Sequence, residues 1–446
     1  MPKLDVIVRS GTVVDTAGRK RADVAIEGGR IVEIAPQISG EAREEIDARG
    51  LHILPGIVDI HLHFNEPGHA DWEGAAMGSR ALAAGGGTFF ADMPLNSTPC
   101  TLSASEVERK RKALEASSIA DFGLWGGLTP DSVTHMPEMA EAGVIGFKAF
   151  MCDSGLPEFP RADDTTLLDG MRAAAKLRLP VAVHAESGEM TRELAAAVAG
   201  SSAHDFLASR PVAAEIEAVV RVLDIARTTG AALHLVHVSS GSAVTLAAEA
   251  RALGADVSIE TCPHYLFFTE EDLEHLGVVA KCAPPLRSEG EHGMLWQQVL
   301  DGVVDIIASD HSPSKPSMKT EGDFRSSWGG IAGVQSTLAV LLDRGFDGRR
   351  LRFEHVVSLI AAKPAARFRI AGKGSLSVGN DADLLLLDPA DTYVLDAAHL
   401  QQRHKMSPYV GMTFGGTVRR TIRRGETIFA DGQIVATTNG KFIRPT

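Results

Sequence analysis

Between residues 57 and 309 the chain alternates eight times between a short apolar run and a longer stretch of helix-forming residues. The apolar runs are Ile57–His63, Thr88–Asp92, Asp121–Leu124, Ile145–Phe150, Val181–His184, Leu233–His237, Ser258–Cys262 and Asp305–Ser309. They read as buried strands, and alanine-rich segments such as Ala75–Ala84, Thr191–Ala199 and Ala243–Leu253 read as the helices between them. Eight strands with eight crossovers predict a closed α/β barrel of the TIM (β/α)8 type rather than an open doubly wound sheet. A dinucleotide fold has no support, because no G-x-G-x-x-G follows a strand into a helix.

The two ends of the chain have a different texture. Residues 4–35 and 376–436 hold short alternating runs broken by glycines, such as Asp5–Arg9 and Asp23–Ile26 at one end and Ala382–Leu387 at the other. This is the signature of antiparallel strands. Each piece alone is too small to bury a core, so the ends are predicted to combine into one small β-sandwich. The expected division is 1–54 with 372–446 for the sandwich and 55–371 for the barrel. A chain of 446 residues has room for both.

Charge narrows the partners. With 44 Lys and Arg against 57 Asp and Glu, the net charge is −13, which disfavours a nucleic-acid partner. Met1–Gly11 reads as a strand rather than a signal peptide, and no segment approaches the roughly 18 apolar residues that span a bilayer. Four cysteines (Cys100, Cys152, Cys262, Cys282) lack metal or disulfide spacing, so the expected setting is a reducing cytoplasm without membrane contact.

The chemistry is expected where barrel strands end. Those ends offer His61 and His63 after the first strand, Lys148 in the fourth, His184 after the fifth, His237 after the sixth and Asp310 past the eighth. His61 and His63 are two apart and share one face of a strand. Singly, each has a plain structural reading. A lone histidine packs in a core, Lys148 is ion-paired or snorkels, and Asp310 caps a turn. Their coincidence at five strand ends points to a metal site. Lys148 stands in Gly146-Phe147-Lys148-Ala149-Phe150, where an ammonium is costly to bury and cannot ligate a metal.

Pro55-Gly56-Ile57-Val58-Asp59-Ile60-His61-Leu62-His63 resembles the opening metal motif of the amidohydrolase superfamily. Ala308-Ser309-Asp310-His311-Ser312-Pro313 resembles its closing motif in the cyclic-amidase branch, and Gly379-Asn380-Asp381-Ala382-Asp383-Leu384 the strand that returns to the sandwich. The resemblance runs from about residue 4 to about residue 430. It implies two divalent metal ions, with His61, His63 and Asp310 on one and His184 and His237 on the other. Lys148, N6-carboxylated, and a hydroxide bridge them. It implies hydrolysis of a cyclic amide, with Asp310 as the proton acceptor. Zinc suits the ligands best; manganese, cobalt and iron suit them as well.

Within the branch, the stretches around the site are similar to allantoinases. Dihydroorotases carry an arginine where Asn65 stands, and a neutral Asn65 cannot pair with a substrate carboxylate. Asp92-Met93-Pro94-Leu95-Asn96 has the allantoinase leucine, and the loop after Lys148 lacks the tyrosine usual in hydantoinases and dihydropyrimidinases. The implied reaction opens the hydantoin ring of allantoin to allantoate, in purine breakdown. The implied substrate contacts are Asn65, Asn96, Cys282, Ser312 and Gly330. His264 is left open, as a structural histidine or one standing behind the metal ligands. The other readings are a hydantoinase or dihydropyrimidinase, and a non-catalytic metal-free relative. A homotetramer is expected by resemblance.

Overall fold

The computed structural model describes residues 4–346 and 349–446. Its centre is the barrel, with strands β1 (Ile57–Leu62), β2 (Gly87–Asp92), β3 (Asp121–Leu124), β4 (Phe147–Phe150), β5 (Val181–His184), β6 (Leu233–Leu235), β7 (Val257–Thr261) and β8 (Ile306–Ile307). All neighbouring pairs in this ring are parallel. β1, β2 and β3 form one ladder. β4 to β8 form another, extended by Gly126–Gly127 just past β3. Ile145 N donates to Leu124 O at 2.9 Å and His63 N to His311 O at 2.8 Å, which closes the ring at both seams. Helices follow the strands as the pattern predicts, among them Ala75–Ala84, Gly188–Ala197 and Gly241–Ala252. The last starts two residues earlier than expected because Ser240 accepts the Ala243 N–H and caps it.

The barrel interior is packed. Val58, Ile60, Phe89, Ala91, Trp125, Ile145, Ala182 and Ile306 form one buried cluster, and Trp125 Nε1 donates to Ile60 O at 2.8 Å. This plug fills the barrel interior, so a site of the barrel is expected at its C-terminal mouth.

The apolar pattern carries β1 to His63, β6 to His237 and β8 to Ser309, but the ladders stop at Leu62, Leu235 and Ile307. The residues beyond leave the strand direction. His237 has φ 38° and Asp310 φ 41°, in a region that non-glycine residues enter at a cost of about 1–3 kcal/mol.

The two ends meet as predicted. Leu4–Asp15, Gly18–Glu27, Arg30–Ala35 and His52–Pro55 share a nine-stranded sheet with Leu384–Val394, Thr413–Arg423 and Glu426–Ala430. Leu384 pairs with Pro55 and Leu386 with Ile53. Val8, Val24 and Ile53 pack with Leu384, Leu386 and Ile422 in one core. The extreme C-terminus departs from this plan. Phe442 bridges to Phe122, and Phe122 N donates to Lys441 O at 2.9 Å, so the tail clasps barrel strand β3.

One buried ion cluster joins sheet and barrel. Lys373 Nζ lies 2.7 Å from Asp121 of β3, 2.7 Å from Asp383 and 3.1 Å from Asp381. Burial alone would discharge this lysine, but Asp383, Asp121 and Asp381 outweigh it and hold the ammonium above its usual range. Lys373→Met is expected to leave buried Asp383 without its cationic partner, and Asp121 with Arg424 alone, and to destabilise the fold by about 3–5 kcal/mol. Urea unfolding measures this, and an unchanged midpoint would contradict it.

Candidate metal centre

The strand ends bring the predicted ligands to one point. His61 Nε2 lies 3.3 Å and His63 Nε2 3.5 Å from the same oxygen, Asp310 Oδ1. The ring of His237 is 5.4 Å from that of His61 and 4.6 Å from that of His184. Lys148 Nζ reaches His237 Nε2 at 3.5 Å. His61, His63, Lys148, His184 and His237 are buried, and all six residues line one cavity of about 430 Å³ at the barrel mouth.

Carboxylates behind the histidines set their orientation. Glu260, fully buried in β7, takes His61 Nδ1 at 2.7 Å, His234 Nε2 at 3.0 Å and the His237 backbone N–H at 3.0 Å. His61 therefore turns Nε2 to Asp310 with its lone pair free. Glu186 takes His184 Nε2 at 2.7 Å, leaving Nδ1 for the cluster. Asp59 Oδ1 accepts from His61 N at 3.2 Å and Ser309 N at 3.3 Å, tying β1 to the turn after β8. Burial raises the Asp59 carboxyl to about 6. Removing such orienting groups weakens metal binding by about 10–100-fold. Glu260→Ala is expected to show that loss in equilibrium dialysis. Glu260→Gln keeps an acceptor toward His61 and His237 and should hold metal more tightly than the alanine variant. Equal affinity in both would contradict the orienting role.

The donor set fits a pair of divalent cations. Burial lowers His63 and drives His237 well below the usual imidazole value, so both are neutral ligands at neutral pH. Asp310 is held below the usual carboxylate range, because His61 and His63 outweigh the effect of its burial. Burial also lowers Lys148 to about 8. Its Nζ stands 4.9 Å from the Phe150 ring centre and, among the described residues, makes no ion pair. Burial thus brings this amine toward its neutral form, in which its nitrogen carries a free lone pair. The Nδ1 of His237 is also buried without a hydrogen-bond partner.

The expected substrate contacts divide. Asn96, Cys282, Ser312 and Gly330 line the cavity. Asn96 also holds its amide nitrogen 3.3 Å from His63 Nδ1, so it buttresses a ligand as well as facing the cavity. Gly330 is required where it stands, since a Cβ there would meet Ser312 O at 2.4 Å. Cys282 is a neutral wall, its thiol pushed up to about 12 by burial. Asn65 is not among the residues lining the cavity: at φ 63° it is buried, its amide nitrogen donates to Pro313 O at 3.2 Å, and its Oδ1 has no hydrogen-bond partner. His264 is buried beside Asp310 with Nε2 unpartnered, and burial lowers it to about 4.

Sequence reasoning passed over Glu260, Glu186 and Arg210. Glu260 and Glu186 carried a usable signal, each a charge within or just beyond an apolar strand and two residues from another polar group. Arg210, a cavity-lining partner of Glu186, gave none. Loop residues Asp153–Gly155 and Arg325–Gly330 line the mouth, with Lys281 Nζ donating to Ser327 O at 2.5 Å.

Residues 52–428 match the model of the amidohydrolase family. The chain is 57% identical to a protein of Solibacter usitatus named allantoinase, over 99% of this chain and 97% of that one. It is 51% identical to one of Rubrobacter xylanophilus with the same name, over 100% and 98%. Among solved structures, L-hydantoinase (dihydropyrimidinase) from Arthrobacter aurescens superposes with a TM-score of 0.96 at 32% identity, covering 99% of this chain and 100% of that one.

Proposed function

The chain belongs to the amidohydrolase family, and on that premise we propose that it hydrolyses the hydantoin ring of allantoin to allantoate, a step of purine breakdown. The near full-length similarity to proteins named allantoinase carries the choice of ring; the converging ligands and the cavity support the chemistry.

His61, His63 and Asp310 would hold one divalent ion, and His184 and His237 the other. Lys148, after its neutral amine takes up carbon dioxide and loses a proton, would serve both as a carbamate. Such ions supply Lewis acidity that polarises the scissile carbonyl and acidifies water. Zinc is the preferred occupant from the imidazole and carboxylate donors, with manganese, cobalt and iron as alternatives. Asp310 accepts a proton at its carboxylate and delivers it to the departing ring nitrogen. Ser312, Asn96 and the backbone around Cys282 and Gly330 hold the ring amides, and the packed barrel floor keeps bulk water to the mouth.

The division at 54/55 and 371/372 completes this reading, as do a homotetramer and a cytoplasmic setting. No helix among the described residues is long and apolar enough to cross a membrane. The test is kcat/KM for allantoin, hydantoin, dihydrouracil and dihydroorotate on metal-reconstituted protein. Allantoin is expected to lead by about 100-fold or more. A lead for hydantoin or dihydrouracil would leave the centre in place and overturn the choice of ring.

A further inference from the structure

Two lysines that take no part in the proposed chemistry hold together two stretches of irregular backbone beside the cavity. Lys281 and Cys282 contribute to its lining from one stretch, residues 325–330 from the other, and neither stretch is helix or strand. The second stretch belongs to a loop closed on itself. Trp328 N donates to Met318 O at 2.8 Å and Thr320 N to Ser327 Oγ at 2.8 Å, and Phe324 N anchors the tip to Ser201 O at 2.7 Å. Its attachment to the first stretch runs through the lysines. Lys281 Nζ donates to Ser327 O at 2.5 Å, and Lys319 Nζ donates to Val278 O and Gly330 O, each at 2.9 Å. Gly330 N donates to Lys281 O at 2.8 Å. Both polar groups of Gly330 are thus held, while its carbonyl keeps a second lone pair for a ring N–H. Lys281 lines the cavity. Lys319 does not; it lies behind Gly330, in a recess shared with Val279, Pro313 and Ser314.

Lysine is a costly choice for such a clamp. Burial pushes both amines below the usual lysine value, and the charge of Arg210 adds to this at Lys281, as that of Lys281 does at Lys319. In return an ammonium offers three donors, each stronger than a neutral one, where no ladder holds the backbone. We propose that Lys281 and Lys319 are positioning residues for ring binding, fixing the backbone of 325–330 against that of 278–282 so that the groups facing the ring amides keep one spacing. The clamp itself stands on the hydrogen bonds; its role in binding rests on the proposed function.

Hydrogen exchange and steady-state kinetics on the full-length, metal-loaded protein test this. Lys319→Met is the decisive variant, because Lys319 does not line the cavity. It is expected to speed exchange of the Trp328 and Gly330 amides by about 10-fold or more, with the β1 and β7 amides unchanged. KM for allantoin should rise by about 10-fold or more, with kcat within about threefold of wild type and bound metal unchanged. Lys281→Met should do the same, and Lys319→Arg, which keeps a cationic donor, should lie nearer wild type in both readouts. Unchanged exchange in both methionine variants would overturn the clamp, and equal effects of Met and Arg at 319 would overturn its hydrogen-bonding basis. Faster exchange with an unchanged KM, or with a parallel loss of kcat or metal, would overturn the positioning role. Should exchange respond as expected while wild type never turns over allantoin, the clamp would stand and the proposed function would fall.

Discussion

Asp310→Asn is expected to lower kcat for ring opening by about 100- to 10,000-fold, the range of a lost general base. Asparagine keeps the volume and one oxygen, so the substitution isolates the loss of charge and proton affinity. That oxygen is where His61 Nε2 and His63 Nε2 converge, at 3.3 Å and 3.5 Å. An amide oxygen there still coordinates, weakly, but cannot carry a proton away from neutral water. The ring-binding side chains Asn96 and Ser312 are untouched, so KM should change little while kcat falls. Steady-state kinetics at matched metal content decides this. A kcat within tenfold of wild type would remove Asp310 from the proton transfer.

Lys148→Met is expected to abolish activity by about 1,000-fold or more, if the ions together supply several kcal/mol of transition-state stabilisation. The same variant makes an unusual stability prediction. Lys148 is fully buried, without an ion-pair partner among the described residues, and its amine is pushed down to about 8. A methionine of similar shape relieves that desolvation, so the metal-free variant should be at least as stable as the metal-free wild type. Loss of activity together with undiminished stability separates a functional lysine from a structural one. Acetate, small enough to enter the vacated space, should partly restore metal binding in Lys148→Ala by standing in for the carbamate. A metal-free variant much less stable than wild type would show that Lys148 is a structural element.

Much of this was legible in the chain itself. The strand alternation carries the barrel, and the two-residue spacing of His61 and His63 places both on one side. Lys148 stood out because a charge in an apolar strand has few innocent explanations. What the sequence hid was set by backbone direction and by distance along the chain. The positive φ of His237 and Asp310 folds their side chains over the mouth, whereas Asn65, also at positive φ, donates its amide to Pro313 O. Nothing local distinguishes the two outcomes. The Lys373–Asp121 pair spans 252 residues, and the contact of the tail with Phe122 is likewise invisible to any pattern of period two or 3.6.

The central claim is that these six residues form a working dinuclear centre. It is tested most directly by stripping the protein with a chelator and titrating zinc back in bicarbonate, following bound metal and allantoin hydrolysis together. The stripped protein is expected to show no turnover, and activity is expected to rise to a plateau at two bound ions per chain. Full hydrolysis by the stripped protein, or a plateau at a single ion, would contradict it.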